Sequence, residues 1–406
     1  MTAGDGRMTT SVLRLAKRCA RATLYLPLRI LLLFQSKRST GAPVPKRILL
    51  LNGAHIGDTV IASSLLPVLH SAFPGVEIGI ACGSWAREVL REHPQVSFTH
   101  EIDHWRLNRA AVGLAAKVYR YWVTRRLALR EMRALNYDLA ISLHPSRPDF
   151  VELTWQAGIP TRVAFTQSLW APLATVLAAY PADSAAFVSQ GGCLEGLLRA
   201  LGIDEEHIRL RRSSLPPTSP QAMAEVSALF GGAQLDQTSY CVVHIGSGVP
   251  AKELSTGFWR ELSEGLREHR ADGHRVLFTG AGQREQAKIR EVMEGLPGSV
   301  DACGKLSWGG FVAAVRYAEA LYGVDSAAAH VAAAVGTPCA AVYSGISGVG
   351  RWRPEGNGVV VWNQPVPCSP CHRKNGCAEM SCMKGISPQD LLQILPEVSS
   401  CVSSDR

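Results

Sequence analysis

Four stretches of this 406-residue chain hold residue types at spacings that could do chemistry. The first is Asn52-Gly53-Ala54-His55-Ile56-Gly57-Asp58-Thr59-Val60. An unbroken apolar run, Ile48 to Leu51, precedes it, and apolar residues at helical spacing follow it, so the pattern reads buried strand, glycine turn, helix. Gly57 lets the backbone pass close to a ligand. Asp58 falls at the start of the helix, where a carboxylate either caps the helix or faces a ligand, since α/β folds bind at the carboxyl ends of their strands.

The second stretch is Tyr322-Gly323-Val324-Asp325-Ser326-Ala327-Ala328-Ala329-His330. A strand leads into two good helix caps and then a helix of small residues that ends at Gly336. Small side chains in a first turn let a bulky anion lie against the bare helix N-terminus, and His330 stands one turn in. The competing reading is tight helix–sheet packing with Asp325 as a cap.

The third is a pair of glycine turns. Tyr240 to Ile245 runs into Gly246-Ser247-Gly248 with Lys252 four residues on, which suits a diphosphate held by backbone amides and a point charge. Val276 to Thr279 runs into Gly280-Ala281-Gly282, and Glu285 follows, placed to accept ribose hydroxyls or to favour the helix dipole. The fourth is Cys368, Cys371, Cys377 and Cys382, spaced C-x2-C-x5-C-x4-C, which suits zinc, iron or disulfides.

The elements that position these residues alternate. Further strand signals lie at Val76–Cys82 and at Tyr137–His144, with His144 at a strand's carboxyl end, and a short helix covers 85–91. Residues 105–135 read as one long helix whose Arg126, Arg130 and Arg133 form a basic ridge. Alternation of strands and helices argues a parallel, doubly wound sheet. The proline-rich 211–220 stretch is the best boundary, and the chain is long enough for two domains. The reading is an N-terminal extension and linker at 1–45, a first domain at 46–212, a linker at 213–238, a second domain at 239–395 and a tail at 396–406.

Charge is unevenly spread. The net +8 is concentrated in residues 1–45 and 104–133, each with eight Lys/Arg and one acid. Two basic regions on a slightly acidic body point to a localised anionic partner. Nucleic acid is disfavoured, because no recognised binding motif accompanies the charge. In the extension, Arg14, Lys17, Arg18 and Arg21 share a helical face, and the apolar run is too short to span a bilayer. It reads as an interfacial anchor or as a basic tail. No secretory signal is evident, so a reducing cytoplasm is the expected compartment.

The chain resembles glycosyltransferase family 9, the ADP-heptose:lipopolysaccharide heptosyltransferases. The resemblance rests on Ile56-Gly57-Asp58-Thr59-Val60 with Pro67 and Phe73-Pro74, on Lys252 with Trp259, on Thr279-Gly280-Ala281-Gly282, and on Val324-Asp325-Ser326 with His330 and Gly336-Thr337-Pro338. It covers about residues 46–395 in order and spacing. It implies a GT-B fold, two Rossmann-like domains facing across a cleft, with acceptor on the first and nucleotide-sugar on the second. It implies inverting transfer that needs no metal cofactor, with Asp58 as base, Lys252 neutralising the leaving ADP, and the amides at Asp325, Ser326 and Ala327 holding the diphosphate. Ser247, Gly248, Gly280, Glu285 and His330 then belong to the donor side, and Gly57, Arg120, Arg126 and His144 to the acceptor side. The expected partners are ADP-heptose, an anionic glycolipid acceptor and a membrane surface, with the enzyme peripheral on the cytoplasmic face of the inner membrane. Relatives carry a similar cysteine cluster, which would be a structural zinc or iron site or free thiols. The helix at 388–395 reads as a closing helix, of the kind that in GT-B folds often crosses back to the first domain. This sequence has Ala327 where the family has glycine, and Arg284 precedes Glu285. Two alternatives stand beside this reading, a protein acceptor and a non-catalytic GT-B scaffold that binds nucleotide or glycolipid.

Overall fold

A computed structural model describes residues 44–145, 148–181, 188–268 and 274–395. The N-terminal extension up to residue 43 and the tail at 396–406 lie outside the described residues. No helix among the described residues is long and apolar enough to cross a membrane.

The apolar runs become strands buried on both faces, as continuous hydrophobic segments must. The first sheet holds β1 (Arg47–Asn52), β2 (Glu77–Cys82), β3 (Phe98–Glu101), β4 (Leu139–Ser142), β5 (Thr161–Phe165) and β6 (Val176–Ala178). Its order is β3-β2-β1-β4-β5-β6 and its ladders are all parallel. The second holds β7 (Tyr240–His244), β8 (Arg275–Thr279), β9 (Ser299–Asp301), β10 (Ala320–Val324), β11 (Cys339–Val342) and β12 (Val359–Trp362), in the order β12-β11-β10-β7-β8-β9, also parallel. Counted from its own first strand, each sheet has the dinucleotide-fold order, which reverses direction between its first and fourth strands. Those switch points lie between β1 and β4 and between β7 and β10. Ligands bind there, outside the carboxyl ends of the strands.

Helices cover both sheets, and two of them meet between the domains. The helix Ile56–Ala62 follows β1, and the helix Ala327–Val335 follows β10. One apolar cluster runs through both, from Ile48 and Val60 to Ala328, Ala332 and Leu321. The small residues expected to admit an anion thus also let the second helix approach the first closely. On the far side of the junction Arg211 donates to the Glu355 carboxylate at 2.6 Å, and Arg351 donates to the Pro181 carbonyl at 2.9 Å while lying 4.7 Å over the Tyr180 ring.

Three expectations change. The long helix runs Leu114–Leu135, not from 105, because Gly113 caps it and residues 104–113 form turns in which the Asn108 side chain accepts the Ala110 N–H. The 213–238 linker contains the helix Pro220–Leu229, whose N-cap is Ser219. It packs on the helix Trp308–Arg316, with the Glu225 carboxylate accepting the Ser307 N–H at 2.9 Å, so this part of the linker is built into the second domain. The closing helix, Pro388–Ile394, does not cross back. It lies on the helix Thr256–Glu268 of its own domain, where Leu391 is fully buried and Gln389 reaches Glu261 at 2.5 Å. An apolar face matched to a neighbour in its own domain holds it there.

Candidate active site

The two switch points face each other. From β1 come His55, Gly57 and Asp58; from β4 comes His144; from β7 come Ser247, Gly248 and Lys252; from β10 come Asp325, Ser326 and Ala327. Topology therefore gathers residues that are up to about 270 positions apart in sequence.

Asp58 is the third residue of its helix and accepts the His55 backbone N–H at 3.0 Å, so it does cap the helix. That bond uses one oxygen. The other, Oδ1, is buried, makes no hydrogen bond, and lies 3.6 Å from Nε2 of His144, which is also buried and unbonded. Burial pushes the Asp58 carboxyl up, but the His144 ring and the His55 N–H outweigh it and hold it below its ordinary value. The carboxylate is thus ionised near neutral pH, with one oxygen free to take a proton and an imidazole beside it. Burial and the Arg109 charge hold His55 down at about 4, so that ring is neutral.

On the opposite wall, Lys252 Nζ lies 2.5 Å from Asp325, and both side chains are largely buried. The Ser247 hydroxyl donates to the Asp325 carbonyl at 3.2 Å, which ties the β7 turn to the β10 turn. Ser326 is the N-cap of the Ala327–Val335 helix, yet its hydroxyl makes no cap bond and is buried without a partner. The first turn of that helix has no acid or cap side chain against it, so its N–H groups and the Ser326 hydroxyl have hydrogen-bonding capacity left for an anion. His330 lies behind them, against Gly57: a methyl group on Gly57 would sit 3.2 Å from its Cδ2. Burial holds the His330 ring below its ordinary pKa.

Glu285 occupies the space that a side chain at Gly246 or Gly280 would need, and it accepts the Ala281 N–H at 2.9 Å. The two glycines are thus required by this carboxylate, which stands at the carboxyl ends of β7 and β8. Burial raises its pKa. Arg284 pairs with Glu253 at 2.7 Å and stays within 3.6 Å of Glu285.

Arg120 and Arg126 fare differently from the other acceptor-side expectations. Arg120 reaches the rim of the first sheet but is engaged there by the buried carboxylate of Asp103, which also accepts the Ser84 N–H. Arg126 stacks 4.6 Å over Trp122 on the outer face of its helix. The four clustered cysteines are free thiols, with Cys382 buried, Cys371 half-buried and Cys368 and Cys377 exposed. No three of them lie within 4.8 Å of one another, so a metal-ligand set is not assembled in this arrangement. Among the described residues Cys241, His274 and Glu319 do gather within that distance. They sit at the amino-terminal edge of the second sheet, away from the cleft, where the Ser239 hydroxyl bridges His274 and Glu319 at 2.8 and 2.5 Å.

Three residues escaped the sequence reading. Glu253 is a deeply buried carboxylate that accepts the Ser247 N–H at 3.0 Å and pairs with Arg284 and Lys288, so it sets the shape of the β7 turn. Its position next to Lys252 was the available signal. Arg109 crosses the cleft, donating to Nε2 of His55 at 3.1 Å and occupying the space beside Gly248. Lys374, on the cysteine-bearing loop, adds positive charge at the same His55 ring. For these last two, no local pattern announces a contact made between domains.

Comparisons with known proteins bear on the fold and the family. Residues 210–381 match the model of glycosyltransferase family 9 (heptosyltransferase). Lipopolysaccharide heptosyltransferase 3 of Escherichia coli is 23% identical over 322 residues, covering 75% of this chain and 85% of that protein. Among solved structures, E. coli ADP-heptose lps heptosyltransferase II is 19% identical, with a TM-score of 0.67 over 87% of this chain and 98% of that one. The family 9 glycosyltransferase of Veillonella parvula is also 19% identical, with a TM-score of 0.68 over 87% and 97%. The fold is therefore GT-B, residues 210–381 carry the match to glycosyltransferase family 9, and the chain is a glycosyltransferase.

Proposed function

We propose that this enzyme transfers a heptose from ADP-heptose to a lipopolysaccharide core or a related glycan, with inversion and without a metal cofactor. The observation that carries the reading is the pairing of the two switch points. A carboxylate with one unbonded oxygen, Asp58, looks across the cleft at an undecorated helix N-terminus with an unpartnered serine hydroxyl. The first is what a nucleophilic hydroxyl needs, and the second is what a diphosphate needs.

In this scheme the acceptor hydroxyl gives its proton to Oδ1 of Asp58 as its oxygen bonds to the anomeric carbon. The bond from that carbon to the diphosphate breaks on the opposite face, and ADP leaves with the electron pair. His144 keeps the carboxylate ionised and oriented. The leaving charge falls on the Ser326 hydroxyl, the N–H groups of the Ala327 turn and Lys252, fixed groups already in place before the reaction. Glu285 is placed for the ribose. The name of the curated relative supports a lipopolysaccharide acceptor. Such an acceptor is borne by a membrane, which fits a peripheral enzyme at the cytoplasmic face and the arginine- and aromatic-bearing face of the Leu114–Leu135 helix.

The test is mass spectrometry of truncated core lipopolysaccharide incubated with ADP-heptose and either wild type or Asp58→Asn. Asparagine can still cap the helix but takes no proton. The expected result is a gain of one heptose with wild type and a loss of roughly 10²–10⁴-fold in rate with the variant, ADP binding being kept. Transfer to a polypeptide and not to the glycan would move the acceptor to protein. ADP binding with no transfer to either would favour the scaffold.

A further inference from the structure

Cations crowd the cleft, and most are already neutralised. Lys252 pairs with Asp325, Arg284 and Lys288 with Glu253, and Arg120 with Asp103. Arg109 and Lys374 differ. Arg109 makes its hydrogen bond to a neutral imidazole, and neither residue is ion-paired among the described residues. They come from different domains, Arg109 from the turns before the Leu114 helix and Lys374 from the cysteine-bearing loop, and both act on the His55 ring.

Each is brought there by specific contacts. Arg109 fills the space beside Gly248 that any side chain at 248 would take, so the glycine of the donor turn admits a guanidinium from the acceptor domain. The cysteine loop is held to the β11 turn by the Cys371 and His372 N–H groups, which donate to the Gly345 and Ile346 carbonyls at 3.1 and 2.9 Å. Its Gly376 lies against Ala251 in the Lys252 turn. The loop therefore spans from the β11 turn to the donor turn, with Lys374 between. Two positive charges stand near one neutral ring; the Asp58 carboxylate is within electrostatic reach of the ring and of Arg109 but forms an ion pair with neither cation, and the positive excess favours an anion between them.

We propose that Arg109 and Lys374 form a seat at the cleft mouth for a phosphate-type anion carried by a substrate, with Gly248 as the opening that lets Arg109 reach it. The arginine offers two N–H groups to one phosphate, and the lysine adds a mobile charge. Such a seat would take either the donor's diphosphate or a phosphate on the glycan beside the attacked hydroxyl. The existence of the seat does not depend on heptose transfer; the identity of its occupant rests on the function proposed above.

The experiment compares full-length wild type, Arg109→Ala, Arg109→Lys and Lys374→Ala, each checked for an unchanged unfolding temperature. Calorimetry measures the binding of pyrophosphate, ADP and adenosine, and initial rates give KM for phosphorylated and dephosphorylated core glycan. If the donor sits in the seat, Arg109→Ala weakens pyrophosphate and ADP by roughly tenfold or more, leaves adenosine unchanged, and Arg109→Lys regains part of the loss. If the glycan sits there, ADP is unaffected and KM rises for the phosphorylated glycan alone. Binding of pyrophosphate that depends on Arg109, in a protein that neither binds ADP nor transfers heptose, would keep the seat and remove the function proposed above. Equal pyrophosphate and ADP affinity and equal KM across wild type, both Arg109 variants and Lys374→Ala would overturn the seat.

Discussion

Gly57 of the first domain lies directly against His330 of the second, so closely that the smallest side chain at 57 would press on the buried imidazole at 3.2 Å, with the Ala327 Cα in ordinary contact at 3.7 Å. The glycine sets the distance between Asp58, the next residue, and the helix N-terminus opposite. Gly57→Ala should push the two helices apart, costing about 1–2 kcal/mol of stability as an overpacked contact and slowing transfer by more than the loss of folded protein explains. Gly57→Ala with His330→Ala gives the methyl room and should recover most of the stability. Urea unfolding and initial rates on the same samples test both. A single variant as stable and active as wild type would show that the contact does not set the spacing.

Lys252 and Asp325 form a largely buried pair, so removing the lysine confuses two effects. Lys252→Met leaves a buried carboxylate alone and should destabilise by about 3–5 kcal/mol. Lys252→Met with Asp325→Asn removes both charges and should restore most of that. If the lysine serves the diphosphate, the double variant still binds ADP weakly despite its restored stability. Recovery of ADP affinity in the double variant would assign Lys252 to the fold alone.

What could be read from the sequence was what is local. A strand, a glycine turn and a capping carboxylate announce themselves within ten residues, and so Asp58, Lys252, Asp325 and Ser326 stand out in the sequence alone. Their partners were not so accessible. His144 was placed at a strand end, but its approach to Asp58 depends on β4 pairing with β1 and not on any spacing. Arg109 was counted within a basic segment and read as part of a helix, because its loop has no periodicity of its own. The apolar stripe of the closing helix says that a face is buried, not against which partner. The cysteine spacing suggested a ligand set, whereas in the structure the loop's contacts run through backbone N–H groups and Gly376.

His244 gives the fold a pH dependence with a definite sign. It stands at the end of β7, bonded through Nδ1 to the Thr279 hydroxyl at 2.9 Å, and burial holds its pKa at about 4 against an ordinary 6.5. The unfolded chain then binds a proton between those values and the folded chain does not. Stability from this residue is complete above about pH 6.5 and falls as pH drops toward 4, by about 3 kcal/mol at the lower end. Burial holds His93 and His104 at about 4 too, so they add in the same direction. Asp58, held low, stays ionised through most of this window. Loss of activity on acidification should therefore track unfolding and not protonation of Asp58. Urea midpoints at pH 7 and pH 5 should separate for wild type and separate less for His244→Asn, with kcat on the surviving folded fraction nearly constant.

The helix Leu114–Leu135 turns an unusual face outward. Leu114, Tyr119 and Trp122 are 61%, 68% and 53% exposed, Arg126 stacks on Trp122, and Arg130 and Arg133 continue the face. Aromatic rings interleaved with arginines suit the boundary of an anionic bilayer, where rings sit at headgroup depth and each basic residue adds about 1 kcal/mol. The helix begins five residues after Arg109, so docking by this face would bring the cleft mouth to the bilayer surface, where the acceptor proposed above would lie. Full-length protein should sediment with phosphatidylglycerol vesicles and not with phosphatidylcholine vesicles, and added salt should release it. Arg126→Glu should weaken binding by roughly thirtyfold, since it replaces an attractive charge with a repulsive one, and Trp122→Ala should weaken it without changing the salt dependence. The basic N-terminal extension is present in every variant, so any difference between them belongs to the helix. Unchanged sedimentation in both variants would leave the extension as the membrane contact and the helix face as solvated surface.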